Sequence, residues 1–121
     1  MKIAVPSENA NGLESVRSGH FGHAPYLVIV ELDDGMNVVS VESVKNAEHG
    51  PGGCGNVIEY VLGLGLDGIL AAGMGMPPLM RFTQGGMTVY FDATEPIVGR
   101  AIALLAAGKV RMMAPDDACH H

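Results

Sequence analysis

The fold is decided by residues 68–91, GILAAGMGMPPLMRFTQGGMTVYF, which place a strand, a glycine-rich loop, a helix and a second strand in succession. Ile69–Ala72 is a short apolar run of strand length, and Pro77-Pro78 suits the first turn of the following helix. The pair Gly85-Gly86 ends that helix before the strand Met87–Phe91. A strand, a crossover helix and a strand predict two parallel neighbours in a sheet that is covered by helices.

Two further helices flank this stretch, because apolar residues recur at helical spacing on both sides of it. The apolar stripes are Val57, Ile58, Val61 and Leu62 before the stretch, and Ile97, Val98, Ala101, Ile102 and Leu105 after it. The first of these helices is predicted to begin at Cys54 and to end at Gly63. For the second, Thr94 is the predicted N-cap and Gly108 the predicted end.

The first part of the chain is predicted to form strands. Lys2–Pro6 is a short apolar run, and Tyr26–Leu32 is almost continuously apolar, which is typical of a strand covered on both faces. The turn residues Asp33-Asp34-Gly35 then lead to Val38–Val44 as a hairpin partner. Together with the later elements, these strands predict an α/β sandwich around a mixed sheet.

Length and composition agree with one domain and exclude several classes of function. The chain has 121 residues, 48% of them hydrophobic, which is enough for a single core. Residues 1–111 are the predicted domain, and residues 112–121 are a predicted flexible tail that carries Cys119, His120 and His121. The net charge of −6 opposes binding to a phosphate backbone. No apolar run reaches the roughly 18 residues of a membrane span, and the two cysteines favour reduced thiols in the cytoplasm.

Three glycine-marked loops are expected at the carboxyl ends of the strands, where this class of fold binds ligands. The loops cover residues 17–23, 50–55 and 73–78. The second and third lead into helix starts, whose free N–H groups favour an anion or a thiolate. These loops are therefore the predicted ligand site.

Cys54 and His20 are the candidate ligands in these loops. Cys54 lies between two glycines at a helix start, which favours a reactive or metal-ligating thiolate, and His20 lies in an open loop as an imidazole donor. The alternatives stay open, since Cys54 can also be a small buried residue and His20 can cap its loop by hydrogen bonding. Soft thioether donors near the third loop, which can equally fill the core, are Met74, Met76 and Met80.

A permanent metal site made only of protein ligands is not expected. Two cysteines cannot supply the four thiolates of a typical iron–sulfur cluster, and the adjacent ligands of the C-terminal tail specify no geometry. A preassembled cluster held by one or two ligands is feasible, with loop N–H groups and Arg17 or Arg81 balancing its charge. Such binding would be reversible.

Several motifs, in this order along the chain, resemble the dinitrogenase iron-molybdenum cofactor biosynthesis family. They are Met1–Ser7 (MKIAVPS), Ser18–Tyr26 (SGHFGHAPY), Gly52–Gly55 (GGCG) and Ala72–Gly75 (AGMG) continuing to Arg81-Phe82. The resemblance covers nearly all of residues 1–111. It implies a ribonuclease-H-like fold, a three-layer α/β sandwich with a mixed five-stranded sheet.

The resemblance also implies a function without catalysis, in which the chain binds an iron–sulfur or iron–molybdenum type cluster transiently. Assembly proteins that donate and accept this cluster are the implied partners, with no nucleic acid and no membrane, and the chain is expected to be a monomer or weak homodimer. His20 matches the histidine of the family's His-Phe-Gly motif and Cys54 the cysteine of its glycine-flanked loop, so both are the expected metal ligands. The residues expected to contact the cluster are His20, Gly22, Gly53, Cys54, Gly55, Gly73, Gly75 and Arg81.

Other functions remain open. Cys54 could serve as a nucleophile or redox-sensing thiol, or the chain could be a regulatory domain that binds only protein or a small anion. A ribonuclease-H-like nuclease is not expected, because its two magnesium ions need clustered carboxylates. Glu8 and Glu59 are available, but the strand that ends at Gly73 offers no third acid.

Overall fold

A mixed sheet forms the centre of the molecule. The computed structural model describes residues 1–46 and 54–114, with residues 54–56 described by their backbone alone. Within these ranges the sheet consists of β1 (Lys2–Ser7), β2 (Tyr26–Leu32), β3 (Val38–Lys45), β4 (Gly68–Ala71), β5 (Thr88–Phe91) and β6 (Arg111–Met112), in the spatial order β3-β2-β1-β4-β5-β6. β1, β4 and β5 run parallel to one another, β2 and β3 form the predicted hairpin, and β6 pairs antiparallel with β5.

Helices cover both faces of this sheet. On one face lie α1 (Cys54–Leu62) and α2 (Met76–Gln84), and on the other lies α3 (Val98–Ala106). Side chains alternate along the strands, so that Ala4 of β1 packs towards α1 and α2, whereas Ile3 packs towards α3. The predicted α/β sandwich with a mixed sheet is confirmed, and β6 is added to the predicted strands. None of the helices in the described ranges has the length and apolar character needed to cross a lipid bilayer.

The chain continues in regular structure past the predicted domain boundary at residue 111. Met112 belongs to β6, and the N–H of Met113 donates a hydrogen bond to the Val89 carbonyl (2.7 Å) while the Met113 side chain is buried. Such a short strand shows no periodicity in the sequence, which is why it was not predicted. Residues 115–121, the rest of the predicted tail, lie outside the described residues.

The N-cap predicted for α3 is wrong. The helix begins at Val98 with Ile97 as its N-cap. The Thr94 hydroxyl donates instead to the Asp92 carboxylate (2.6 Å), and the backbone N–H groups of Thr94 and Glu95 bind the same carboxylate. Asp92 therefore holds this segment in a turn, and the helix begins only after that turn.

Gly68, the first residue of β4, has no room for a side chain between its neighbouring strands. A Cβ atom at this position would lie 2.6 Å from the Thr88 carbonyl oxygen and 3.1 Å from Cδ1 of Ile3. The Thr88 oxygen belongs to the backbone of a paired strand, so it cannot move aside without disturbing the sheet. The close approach therefore requires glycine.

Gly68→Ala is expected to lower the free energy of unfolding by about 2 kcal/mol, because a methyl group is forced into a packed sheet. Urea unfolding followed by circular dichroism measures this loss. Gly19→Ala is the matched control, because a Cβ atom at Gly19 meets nothing within 4 Å. Equal stability of the two variants would contradict the close approach at Gly68.

Candidate functional site

The carboxyl ends of β1, β3, β4 and β5 meet at one edge of the sheet. β1, β4 and β5 are parallel, and β3 points the same way because it is antiparallel to β2, which is itself antiparallel to β1. The predicted ligand loops at residues 17–23 and 73–78 leave from this edge, as do residues 92–97 after β5. This carboxyl edge, as we call it below, is where open α/β sheets bind ligands.

The loop that carries His20 is joined to the loop that follows β4. The N–H of Phe21 donates a hydrogen bond to the carbonyl of Gly73 (3.1 Å). The Phe21 side chain is 1% exposed and meets the ring of Phe82 on α2 edge-on, with ring centroids 5.2 Å apart and an interplanar angle of 90°. Such a contact is favourable beyond the apolar area it buries. The first and third predicted loops are thus brought together, with His20 next to their junction.

His20 lies on the surface at this junction. Its backbone is extended (φ −134°, ψ 119°) and directly precedes the 3-10 turn Phe21–His23, which contains Gly22. The buried Ser18 hydroxyl donates to the His20 carbonyl (3.1 Å), and the His20 N–H lies 3.4 Å from the same hydroxyl oxygen. The His20 and His23 rings are 6.4 Å apart between centroids. The backbone around the His20 imidazole is therefore fixed, while the side chain remains accessible.

The residue that follows β3, Asn46, is bonded to the end of the loop that carries His20. The Asn46 side chain is buried, and its Nδ2 donates to the Ala24 carbonyl (2.9 Å) while its backbone N–H donates to the Pro25 carbonyl (3.0 Å). These bonds hold the exit from β3 against the loop that carries His20. Residues 47–53, with the predicted contact residue Gly53, lie outside the described residues.

α1 and α2 both begin at the carboxyl edge. Their far ends lie side by side, since a Cβ atom at Gly85 would come within 2.9 Å of Cδ2 of Leu62. α1 is followed by β4, whose first residue lies at the opposite edge, so the start of α1 must lie towards the carboxyl edge. The backbone of Cys54 and Gly55, the first two residues of α1, is therefore on the same side of the sheet as Gly75, the N-cap of α2.

The third predicted loop divides between the core and the start of α2. Gly73 and Met74 are buried, and Met74 packs with the core on the side of α1 and α2. Of the two roles predicted for Met74, core filling is therefore the one that the structure shows. The N-cap residue of α2, Gly75, has no side chain with which to cap the helix, and the first turn contains Pro77 and Pro78, which have no N–H groups. Gly75 and Met76 therefore carry the N–H groups that this helix start can offer to an anion.

Arg81 forms an ion pair with Glu59, which joins α2 to α1. Both side chains are at least half-exposed, and ion pairs of this kind contribute only about 0–1 kcal/mol to stability. Little is therefore lost if Arg81 turns towards a bound anion. Arg81 lies about 8 Å along the helix axis from Met76, at the helical rise of 1.5 Å per residue.

Arg17 is buried and forms an ion pair within the protein. Its side chain is 3% exposed, and Nη1 donates to Oδ2 of Asp92 (3.1 Å) and to the Glu95 carbonyl (3.0 Å). Its Nε and Nη2 atoms are buried and have no hydrogen-bond partner within the described part of the chain. Burial lowers the pKa of Arg17, although the charge of Asp92 acts in the opposite direction. Arg17 therefore ties the loop after β1 to the loop after β5, and its charge is balanced within the protein.

Asp92 is the residue of this edge that the sequence analysis missed. Burial by itself raises the pKa of Asp92, but the hydrogen bonds from Thr94 and Glu95, together with the Arg17 charge, outweigh burial and hold that pKa below its usual value. An aspartate directly after a strand, with a threonine two residues on, is typical of a side chain that closes a turn. This local pattern could have identified Asp92 from the sequence. Its pairing with Arg17, in contrast, leaves no pattern in the sequence.

No group of three or more His, Cys, Asp or Glu side chains in residues 1–46 and 57–114 is arranged to hold a metal ion. What the described residues bring together at the carboxyl edge is two accessible imidazoles, those of His20 and His23, two helix starts and backbone from the loops that carry Gly22, Gly73 and Gly75. Such an arrangement can hold a preformed ligand through few side chains and several backbone groups.

A mixed α/β sandwich that gathers glycine-rich loops at its carboxyl edge is typical of a small ligand-binding domain. The family model described as dinitrogenase iron-molybdenum cofactor matches residues 1–108, and the chain belongs to this family. The family connects the chain with binding or biosynthesis of the dinitrogenase cofactor, and the resemblance expected from the motifs is confirmed. The comparison with curated proteins finds no match.

Several solved structures share the fold. PH0822 is 26% identical, with a TM-score of 0.77 over 93% of this chain and 96% of that one. The apo form of the orange protein from Desulfovibrio gigas is 25% identical, with a TM-score of 0.75 over 93% of this chain and 92% of that one. The Thermotoga protein TM1290 is 24% identical, with a TM-score of 0.70 over 92% and 91%, which shows the fold alone.

Proposed function

We propose that this chain binds an iron–sulfur or iron–molybdenum type cluster as cargo at the carboxyl edge and passes it on without catalysing a reaction. The partners in this proposal are one assembly protein that donates the cluster and another that accepts it. The observation that carries the proposal is the junction of Phe21 with Gly73, which holds the exposed His20 beside the start of α2. Family membership supports the choice of cargo.

His20 and Cys54 are the proposed metal ligands. A neutral imidazole and a thiolate both bind iron, and a thiolate is favoured at a helix start. The backbone N–H groups near Gly75 and that of Gly22 would approach the sulfides of the cluster, because glycine leaves no side chain in the way. Two side-chain ligands leave the remaining metal positions free for an acceptor, which suits a carrier better than a permanent holder.

Arg81 is the proposed cation for an anionic cluster. Its partner Glu59 is at least half-exposed, so exchange of that carboxylate for a bound anion costs little. Arg17 does not take this role, because it is buried and bonded to Asp92.

Anaerobic reconstitution with iron and sulfide, with and without molybdate, tests the proposal in the full chain. Wild-type protein is expected to show charge-transfer absorption in the visible range, and this absorption is expected to fall strongly in His20→Ala and in Cys54→Ala. The matched control for His20→Ala is His23→Ala, in the same loop. The matched control for Cys54→Ala is Cys119→Ser, in the C-terminal segment. Both controls are expected to keep the absorption.

Unchanged spectra in both His20→Ala and Cys54→Ala would contradict the proposed ligands. A colourless protein whose Cys54 reacts with iodoacetamide much faster than a free thiol would instead support the thiol-based alternative. Transfer is tested separately, by mixing reconstituted protein with an apo cluster acceptor and following loss of the visible absorption from the carrier after separation.

A further inference from the structure

A groove that the proposed function does not use lies between α2 and the chain that follows β6. It has a volume of about 230 Å³. Its walls are formed by Met76, Leu79, Met80, Thr83, Gln84 and Met113. It contains neither of the proposed metal ligands, His20 and Cys54, and it involves the side chain of Met76 rather than its backbone N–H, so a site in this groove does not depend on the proposed function.

Methionines from two separate elements face this groove. Met76 and Met80 are four residues apart on α2, which places them on one face of the helix, one turn from each other. Met113, from the chain that follows β6, also lines the groove, and its backbone is held in place by the hydrogen bond from its N–H to the Val89 carbonyl (2.7 Å). Met80 is 51% exposed, so its side chain is not needed to fill the core.

The polar groups that the described residues bring to the groove do not favour a hard cation. None of the described residues that line it carries a carboxylate, and the Thr83 hydroxyl donates its hydrogen to the Leu79 carbonyl (2.8 Å). Mg²⁺ and Ca²⁺ select oxygen ligands, particularly carboxylates, whereas neutral thioethers select soft ions such as Cu(I). The side chains that line the groove therefore favour a soft cation over a hard one.

We propose that the thioethers of Met76, Met80 and Met113 form a binding site for a soft monovalent cation of the Cu(I) class. The flexible, unbranched methionine side chains on α2 can turn their sulfur atoms into the groove towards Met113. The opening to solvent at Met80 gives the ion a way in. The ion enters as Cu(I), so binding involves no redox step.

The test uses the full chain labelled with ¹³C at the methionine methyl groups, and Ag(I) as a redox-inert substitute for Cu(I). Ag(I) is added beyond the amount that the two cysteine thiols bind. The methyl signals of Met76, Met80 and Met113 are expected to shift together and to saturate. The signal of Met112, which is 66% exposed and does not line the groove, is expected to stay in place.

Met80→Leu separates coordination by sulfur from simple apolar character, because leucine keeps the apolar volume and removes the thioether. The variant is expected to bind Ag(I) at this site about tenfold more weakly or worse, with an unchanged urea midpoint. Met112→Leu is the matched control and is expected to bind as the wild type does.

The proposal is overturned if the three methyl signals do not move, or if Met112 shifts as much as they do. It is overturned equally if Met80→Leu binds Ag(I) with wild-type affinity. If the groove does not respond to Ag(I) and binds an apolar dye equally well in wild type and Met80→Leu, the cation site is excluded. The groove would then be a surface for an apolar partner.

Discussion

Phe21→Ala is expected to lower the free energy of unfolding by about 4 kcal/mol, because it empties a fully buried aromatic site. The Phe21 ring is 1% exposed and meets Phe82 edge-on, so both the buried area and the aromatic contact are lost. The same change also releases the loop that carries His20 from the loop with Gly73. Reconstituted cluster absorption is therefore expected to fall together with stability.

Urea unfolding followed by circular dichroism measures the loss of stability for Phe21→Ala. Phe21→Leu is the matched control, since leucine keeps most of the apolar volume and gives up the aromatic pair, which is worth about 1 kcal/mol. A wild-type urea midpoint in Phe21→Ala would mean that this ring does not join the two loops.

Asp92→Asn is expected to lower the free energy of unfolding by about 3 kcal/mol at neutral pH, because it leaves Arg17 buried without its counter-charge. The Asp92 carboxylate accepts hydrogen bonds from Arg17 (3.1 Å) and from the Thr94 hydroxyl (2.6 Å). An asparagine amide can accept part of these bonds, but it carries no negative charge. The matched control is Asp34→Asn in the exposed hairpin turn, which is expected to change stability little.

The effect of Asp92→Asn depends on pH in a defined direction. The pKa of Asp92 is lower in the folded protein than its usual value, so its ionised form stabilises the fold. This contribution is fully present above the pKa of the unfolded chain, about 4, and is lost as the pH falls through the lower pKa of the folded state. The stability difference between wild type and Asp92→Asn is therefore expected to be constant between about pH 5 and 7 and to shrink below about pH 4. A difference that grows on acidification would contradict this assignment.

Long elements with a strong apolar pattern were predictable from the sequence. Tyr26–Leu32 was predicted as a strand with the bounds that the structure shows, because continuous burial leaves a continuous apolar run. The start of α1 at Cys54 and the end of α2 before Gly85-Gly86 were also predicted, from helical spacing and glycine. The start of α3 was not, because the Asp92 carboxylate competes for the backbone that Thr94 was expected to cap.

The candidate site was predictable only as far as sheet geometry determines it. Loops that leave the carboxyl ends of parallel strands must meet, and the bond between Phe21 and Gly73 agrees with that rule. The pairing of Arg17 with Asp92 joins residues 75 positions apart and has no local signature. The same is true of Met113, which reaches the groove beside α2 only because the short β6 directs it there.

The parallel arrangement of α1 and α2 has an electrostatic consequence. Each helix macrodipole places roughly half a positive elementary charge at its N-terminus, and here both of these ends point the same way. Although the chain as a whole carries a charge of −6, the local potential at this edge is therefore shifted towards attracting an anion. Screening by physiological salt confines such a field to about 8 Å. The field therefore stabilises an anion that is already bound at this edge and does not steer a distant anion towards it.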